Sequence, residues 1–216
     1  MLRYALSLLG RTYAPPTRAA MPKIVDHNQR RQELAELAVR VIQRDGPEHA
    51  TIRKIAKEGG FSIGVLTHYF ADKDALVAFT FQWVAAESFK DLEVILRDTA
   101  PGLARVRAAL EFMVPGPGVQ SFMAVWLSLW GGAVHNPVLA KIHRNYYARW
   151  RRYLTQQVTE AVRRRHIKAP VSMEDAVALL CAAIDGLWIG ANFEPARFPA
   201  KRRKQLVGQI LKLVLP

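Results

Sequence analysis

The chain has 216 residues, half of them hydrophobic, and a formal net charge of +13 at pH 7. This length allows one large or two small domains with a real core, and the basic balance favours an anionic partner such as DNA. A single cysteine excludes an intramolecular disulfide and fits a reducing cytoplasm. We find no apolar run of the roughly 18–20 residues that a membrane span requires, so no membrane partner is predicted.

The first residues differ in character from the rest of the chain. The apolar run over 5–9 is shorter than the roughly 7–15 residues of a signal-peptide core, and Pro15 and Pro16 break any helix. We therefore expect residues 1–21 to form a disordered leader. Met1 and Met21 both remain open as the start of translation.

Apolar residues at helical spacing predict helices along the remainder of the chain. No segment alternates with a period of two between turn signals, so strands are not expected. The sequence thus predicts an all-α protein, with about three helices over 22–70 followed by about six over 71–216. The expected helices cover 27–44, two short segments within 51–70, then 72–97, 103–113, 119–134, 138–166, 172–192 and 201–215.

The segment 51–70, TIRKIAKEGGFSIGVLTHYF, is the most informative of these. Thr51 is a good N-cap for one short helix, and Gly59 and Gly60 can end it, since glycine tolerates a left-handed backbone. Ser62 is expected to cap a second short helix that ends at Phe70. Two short helices joined by a tight turn are typical of a helix-turn-helix, whose second helix enters the major groove of DNA.

The longer stretch 60–76, GFSIGVLTHYFADKDAL, resembles the signature of TetR-family repressors. An ordinary α-hairpin would account for the periodicity, but not for its serine, glycine, His-Tyr-Phe and Asp-Lys together. The resemblance implies a helix-turn-helix domain over 22–70 and a helical domain over 71–216 that binds an effector and dimerises. It also implies a homodimer on a pseudo-palindromic operator of double-stranded DNA.

The second short helix lacks arginine, asparagine and glutamine, which are the strong bidentate readers of bases. Specificity must then come from weaker contacts, from two half-sites and from DNA shape. Simple packing remains the alternative for His68. The predicted DNA-binding residues are Thr51, Arg53, Ser62, Ile63, Gly64, Thr67, His68, Tyr69 and Lys73.

The C-terminal part is similar to the BetI-type, choline-responsive subgroup in two stretches, 123–154 and 179–193. This implies an effector that is choline or a related quaternary ammonium, which aromatic faces and a nearby negative charge would hold. Each aromatic could instead be core, and Asp185 could pair with an arginine or cap a helix. The predicted effector-binding residues are Trp83, Phe89, Phe122, Trp126, Trp130, Tyr146, Asp185 and Trp188.

Two apolar stripes near the C-terminus are candidates for the dimer contact, and the resemblance to the TetR family implies that they pair with their symmetry mates in a four-helix interface. Its predicted residues are Val177, Leu180, Ile184, Leu187, Leu206, Ile210 and Leu213.

The histidines show no metal spacing and no phosphate loop is present, so neither an enzyme nor a cofactor is predicted. Two alternatives stay open: a TetR-family repressor for a different hydrophobic or cationic ligand, and a non-specific basic protein that coats DNA. Much of the net charge lies in the segment 141–168, where nine basic residues are balanced by Glu160 alone, so the overall charge is weak support for DNA binding by the helix-turn-helix.

Overall fold

The computed structural model describes residues 27–46, 49–114, 121–168 and 172–215. In these ranges the chain is helical and has no strand, which confirms the predicted all-α class. The expected leader over 1–21 lies outside the described residues. The helices of the described part are α1 (His27–Asp45), α2 (Ile52–Glu58), α3 (Ile63–Tyr69), α4 (Lys73–Arg97), α5 (Leu103–Met113), α6 (Ser121–His135), α7 (Pro137–Arg163), α8 (Met173–Phe193) and α9 (Ala200–Val214).

Side-chain caps define where several of these helices begin. Thr51 Oγ1 accepts from the Lys54 backbone N–H at 3.2 Å at the start of α2, as predicted. Asp72 caps α4 and Ser172 caps α8 in the same way, at 2.7 and 3.1 Å. The predicted cap at Ser62 is wrong, because Ser62 occupies the N-cap position of α3 but its side chain makes no capping bond.

One compact unit contains the described residues from 27 to 87 together with 121–143. Within it α1 packs against α2 and α6, and α2 packs against α3. The apolar stripe predicted for α1 is fully buried, including Leu34, Leu37 and Ile42. Ile55 of α2 and Leu66 of α3 are also completely buried, so each short helix is held by an apolar side chain in the core.

A second compact unit contains the described residues of 88–114 and 144–215. Here α8 packs against α5 and α9, and α9 also packs against α5. Leu110, Leu154, Val158 and Leu180 are completely buried in this unit. These side chains follow the helical period of their elements, so the core was visible in the sequence pattern.

Helix α8 corrects one expectation from the sequence. It is 21 residues long, with a mean hydropathy of 1.7 over its most apolar window, so length and composition alone would let it cross a membrane. Of that window, 44% is buried inside the chain, and the helix carries Asp185 near its middle. In its unit α8 packs against α5 and α9, and much of its apolar surface stays uncovered by the chain.

Candidate DNA-binding surface and effector site

The turn between α2 and α3 is built around two adjacent glycines. Gly59 is the C-cap of α2, and a Cβ at this position would collide with Leu37 and lie 2.7 Å from the Phe61 ring. Gly60 has a φ of +66°, the left-handed backbone that favours glycine. One glycine therefore permits close packing against α1, and the other permits the chain to reverse.

The face of α3 that carries the predicted base contacts is open to solvent. Ser62, Ile63, Gly64 and Thr67 are all exposed, whereas Leu66 is buried beneath them. Ile63 is 46% exposed, which is unusual for an isoleucine and leaves its side chain available for contact with a thymine methyl. The Thr67 hydroxyl donates to the carbonyls of its own helix, at 3.3 Å from Ile63 O and Gly64 O.

The predicted phosphate contacts come from three consecutive helices, α2, α3 and α4, and their flanking residues. Thr51 and Arg53 are exposed at the start of α2, and Lys73 is half-buried at the start of α4. The ring of His68 lies edge-on to the ring of Tyr69, with centroids 4.9 Å apart. His68 is exposed, so this contact does not bury the imidazole in the core as the packing alternative required.

An ion network joins the end of α1 to α2. Arg44 bonds Asp45 at 2.8 Å and Glu58 at 2.7 Å, and Lys54 bonds Asp45 at 3.1 Å. The hydrogen bonds from Arg44 and then Lys54 lower the pKa of the Asp45 carboxyl to about 2. Lys54 of α2 is therefore held by a carboxylate of α1, and this network links the two helices.

A second junction holds the end of α3 on α4. The Arg31 guanidinium lies 4.4 Å from the centre of the Phe79 ring and 5.1 Å from that of Phe70. The two rings are themselves 5.4 Å apart. Cation–π attraction strengthens when such a group is desolvated, so this arginine ties α1 to both neighbouring elements. Sequence periodicity gave no signal for it.

Asp185 lies half-buried on α8 and accepts a hydrogen bond from the Tyr147 hydroxyl at 2.8 Å. Burial raises the pKa of Asp185, and the bond from Tyr147 opposes this shift only in part. Burial and then the Asp185 charge raise the pKa of the Cys181 thiol to about 11. The partner of Asp185 within the chain is therefore a neutral phenol of α7, a contact that the sequence did not predict.

Aromatic rings of α4 and α7 form a cluster in the same unit. The ring of Phe89 lies 5.4 Å from that of Tyr146 and 6.4 Å from that of Trp150, and all three are buried. The Arg149 guanidinium lies 3.9 Å from the centre of the Phe89 ring. One face of Phe89 is thus already covered by a cation of the chain itself, which reduces the ring surface left for a ligand.

The other predicted effector residues are distributed between the two units. Trp188 is buried on α8, in the unit of Asp185. Trp83 and Trp126 are buried in the other unit, and there the half-buried Trp130 contacts His143 edge-on at 6.3 Å. Phe122 belongs to α6, and its side chain lies outside what the structure describes.

The predicted dimerisation residues divide by burial. Val177, Leu180, Ile184 and Leu187 are buried within their own chain, so they offer little surface to a second copy. On α9, Leu206 and Ile210 are half-buried and Leu213 is 83% exposed. A stripe at helical spacing predicts burial, but it does not say whether the chain itself or a partner provides the cover.

A capped helix-turn-helix with an open second helix defines this protein as a DNA-binding regulator of transcription. The sequence model for bacterial regulatory proteins of the tetR family matches residues 34–78, and the model for the C-terminal part of BetI-type transcriptional repressors matches residues 102–216. The chain therefore belongs to the BetI-type repressors of the TetR family. The matched families are regulators, not enzymes, and regulators of the TetR family bind operator DNA and small-molecule effectors.

Relatives along almost the whole chain agree with this assignment. The regulator PksA of Bacillus subtilis is 31% identical, over 88% of this chain and 91% of its own length. The regulator BetI of Escherichia coli K12 is 28% identical, over 91% and 99% respectively. A regulator of Saccharomonospora viridis, solved in complex with choline, shares the fold with a TM-score of 0.79 at 21% identity, covering 87% and 98%.

Proposed function

We propose that the chain is a dimeric repressor that binds a pseudo-palindromic operator in the cytoplasm and is released by choline or a related quaternary ammonium. The observation that carries the DNA-binding part is the solvent-exposed face of α3, held by a buried Leu66 and a capped, glycine-turned α2. Residues 22–70 would form the DNA-binding domain and 71–216 the effector-binding and dimerisation domain.

Weak contacts would supply the base readout. Ser62 and Thr67 offer hydroxyls, and Ile63 offers an apolar contact to a thymine methyl. Gly64 lets the backbone approach the groove of the DNA, because glycine has no side chain. The described atom nearest to a Cβ at this position is the Ser62 hydroxyl oxygen, at 3.7 Å, so the position faces open space. The remaining proposed contacts grip phosphate and set the register without reading sequence: Thr51, Arg53, His68, Tyr69 and Lys73.

The uncovered face of α8 supports a dimer. This helix is apolar, yet less than half of its most apolar window is buried in the chain, and Leu179 is 57% exposed. Leu213 of α9 is exposed as well, and the two helices pack together. A second copy would cover these side chains by symmetry. We therefore place Leu179 and Leu213 at the interface, and assign Val177, Leu180, Ile184 and Leu187 to the supporting core.

Asp185 supports a cationic effector. Burial destabilises its carboxylate, and the neutral Tyr147 compensates this only in part, so a bound cation would stabilise the charge. Aromatic faces next to the carboxylate would complete a site for a quaternary ammonium, which has no N–H to donate. Of the predicted set, Phe89, Tyr146 and Trp188 belong to the unit of Asp185.

One observation favours a second candidate, a TetR-family repressor for a different hydrophobic or cationic ligand. Arg149 already covers a face of Phe89, so a cation would have to use the opposite face or displace this arginine. Arg149 is also held by Glu93 at 3.4 Å. A flat or apolar effector would not compete with Arg149 for the ring.

A test of the dimer uses charge at the proposed interface. The variant Leu179→Asp with Leu213→Asp should be monomeric by light scattering and should bind operator far more weakly than wild type. An equally exposed apolar side chain outside α8 and α9, Val134, supplies the matched control as Val134→Asp. If the double variant stays dimeric with full operator affinity, the interface lies elsewhere.

A further inference from the structure

Two helices of the DNA-binding unit meet at a cluster of three polar rings. His27, at the start of α1, lies 5.5 Å from Tyr69 and 6.1 Å from His68 between ring centroids. His68 and Tyr69 close the cluster at 4.9 Å. His27 and His68 are both exposed, so their ring nitrogens remain accessible at the surface. The end of the recognition helix α3 therefore shares one polar edge with the first turn of α1.

Arg30 extends this edge along α1. It follows His27 by three residues and so lies on the same side of the helix. Its guanidinium bonds Glu33 at 2.7 Å and lies 5.2 Å from the centre of the Phe61 ring. The ion pair and the ring fix the position of the guanidinium before any ligand arrives, and the several N–H groups of arginine allow a further acceptor.

A groove of about 530 Å³ opens beside these side chains. Its lining includes Arg30 of α1, Phe61 of the turn before α3, and Gly64 and His68 of the α3 segment. Ser62 and Tyr69 also line it. Among the lining residues of this described part of the chain, the polar groups are guanidinium, imidazole, phenol and hydroxyl, and none is a carboxylate.

Such a set of donors suits a phosphodiester. Arginine binds phosphate oxygens with strong charge-assisted hydrogen bonds, and hydroxyl and imidazole groups add further ones. The groove lies next to the exposed face of α3, so a phosphate held in it would border the bases that this helix contacts. A free phosphate ion would satisfy the same donors, but only a DNA strand would present phosphate together with bases at α3.

We propose that His27 and Arg30 of α1 form, with His68 and Tyr69 of α3, one binding site for a backbone phosphate of the operator. The proposal rests on the proposed function, DNA binding through α3, and adds α1 to the DNA-binding surface. Because the site is shared by two helices, phosphate binding also fixes α3 against α1. His27 and Arg30 therefore contribute affinity on any sequence and leave base preference unchanged.

The test measures binding to an operator duplex and a random duplex by fluorescence anisotropy over a range of KCl concentrations. Arg30→Gln should lower the slope of log K against log salt by about one for each protomer, which is about eight-fold in affinity per lost contact near 0.1 M salt. The loss should be equal on both duplexes. Lys141→Gln, which removes one exposed charge from α7, should change neither slope nor affinity measurably.

The ring cluster is tested by a double-mutant cycle. His27→Ala and Tyr69→Phe should each weaken binding, and the double variant should lose less than the sum, because the two residues act on one phosphate. Arg30→Lys keeps the charge and should recover the salt slope, even if its affinity is lower. Melting temperatures of all variants identify any that are simply unfolded, and Arg30→Ala then replaces Arg30→Gln while His27→Gln replaces His27→Ala.

Three results would overturn the proposal. One is unchanged affinity and salt slope in Arg30→Gln and His27→Ala. Another is a loss confined to the operator duplex, which would make these residues base readers. The third is competition by inorganic phosphate that weakens DNA binding equally in wild type and in Arg30→Gln. That result would mean that phosphate binds at another site. Failure of wild type to bind either duplex would instead refute the DNA-binding function.

Discussion

The substitution Asp185→Asn separates the contribution of this carboxylate to ligand binding from its contribution to stability. The carboxylate lies half-buried on α8 with the Tyr147 hydroxyl at 2.8 Å, and burial raises its pKa. The amide keeps an oxygen for Tyr147 and removes the charge that is costly to bury. We therefore expect the free variant to be as stable as wild type or more so, and to lose most of its affinity for choline.

The size of that loss follows from the charge and its exposure. Two unit charges 4 Å apart in a medium with an effective dielectric constant near 20 attract by about 4 kcal/mol. Because Asp185 is only half-buried, solvent screening reduces the attraction between the carboxylate and a bound cation to about 2 kcal/mol. Its loss corresponds to a dissociation constant for choline that is about 30-fold larger. Loss of the charge-assisted part of the Tyr147 bond costs the free protein about 1 kcal/mol and offsets the relief of burial.

Calorimetric titration with choline gives the affinity, and thermal melts without ligand give the stability. Glu174→Gln removes an exposed carboxylate from the same helix and is the matched control, with unchanged choline affinity expected. Equal choline binding by wild type and Asp185→Asn would refute a role for this carboxylate. A large drop in the melting temperature of Asp185→Asn would show that the charge is structural.

The remaining predictions concern stability and pH. Choline binding should release protons and weaken as the pH falls, because burial raises the pKa of Asp185 and a bound cation lowers it again; titrations in buffers of different ionisation enthalpy measure this. Thr51→Ala should cost about 1 kcal/mol of unfolding free energy in urea melts, since the N-cap bond is lost, whereas Thr51→Ser should cost far less. Gly59→Ala should cost about 1–3 kcal/mol through its collision with the α1 core, and a wild-type urea midpoint for this variant would contradict the packing at the turn. Thr67→Ala should relax base preference, which would be measured as a smaller difference in affinity between the operator and a random duplex. An equal loss of affinity on both duplexes would refute a role of Thr67 in base readout.

The helices and their order were predictable because each element of this chain carries its own local signals. The α1 stripe that includes Leu34, Leu37 and Ile42 has the helical period, and the cap at Thr51 and the glycine at 60 mark the ends of the short helices. Exposure of the α3 face followed from the same period. Local signals of this kind need no knowledge of which helices pack together.

Contacts between distant parts of the chain were not predictable in this way. The bond from Tyr147 to Asp185 joins two helices that are 38 residues apart in sequence at these positions, and no spacing rule connects them. Arg31 between two phenylalanines looks like any charged residue of an amphipathic helix. The sequence also does not tell what buries the apolar residues of α8. Leu180 is buried by its own chain, but burial by a partner would produce the same apolar periodicity.

The proposed function makes this chain a sequence-specific repressor that choline releases. The most direct measurement is the affinity of the full-length protein for the intergenic DNA beside its own gene, with a random duplex of equal length, in the presence and absence of choline. We predict preferential binding to one pseudo-palindromic site by two protomers, and release of that complex by millimolar choline but not by equimolar sodium chloride. Equal affinity for both duplexes, or a specific complex that choline leaves intact, would contradict the account.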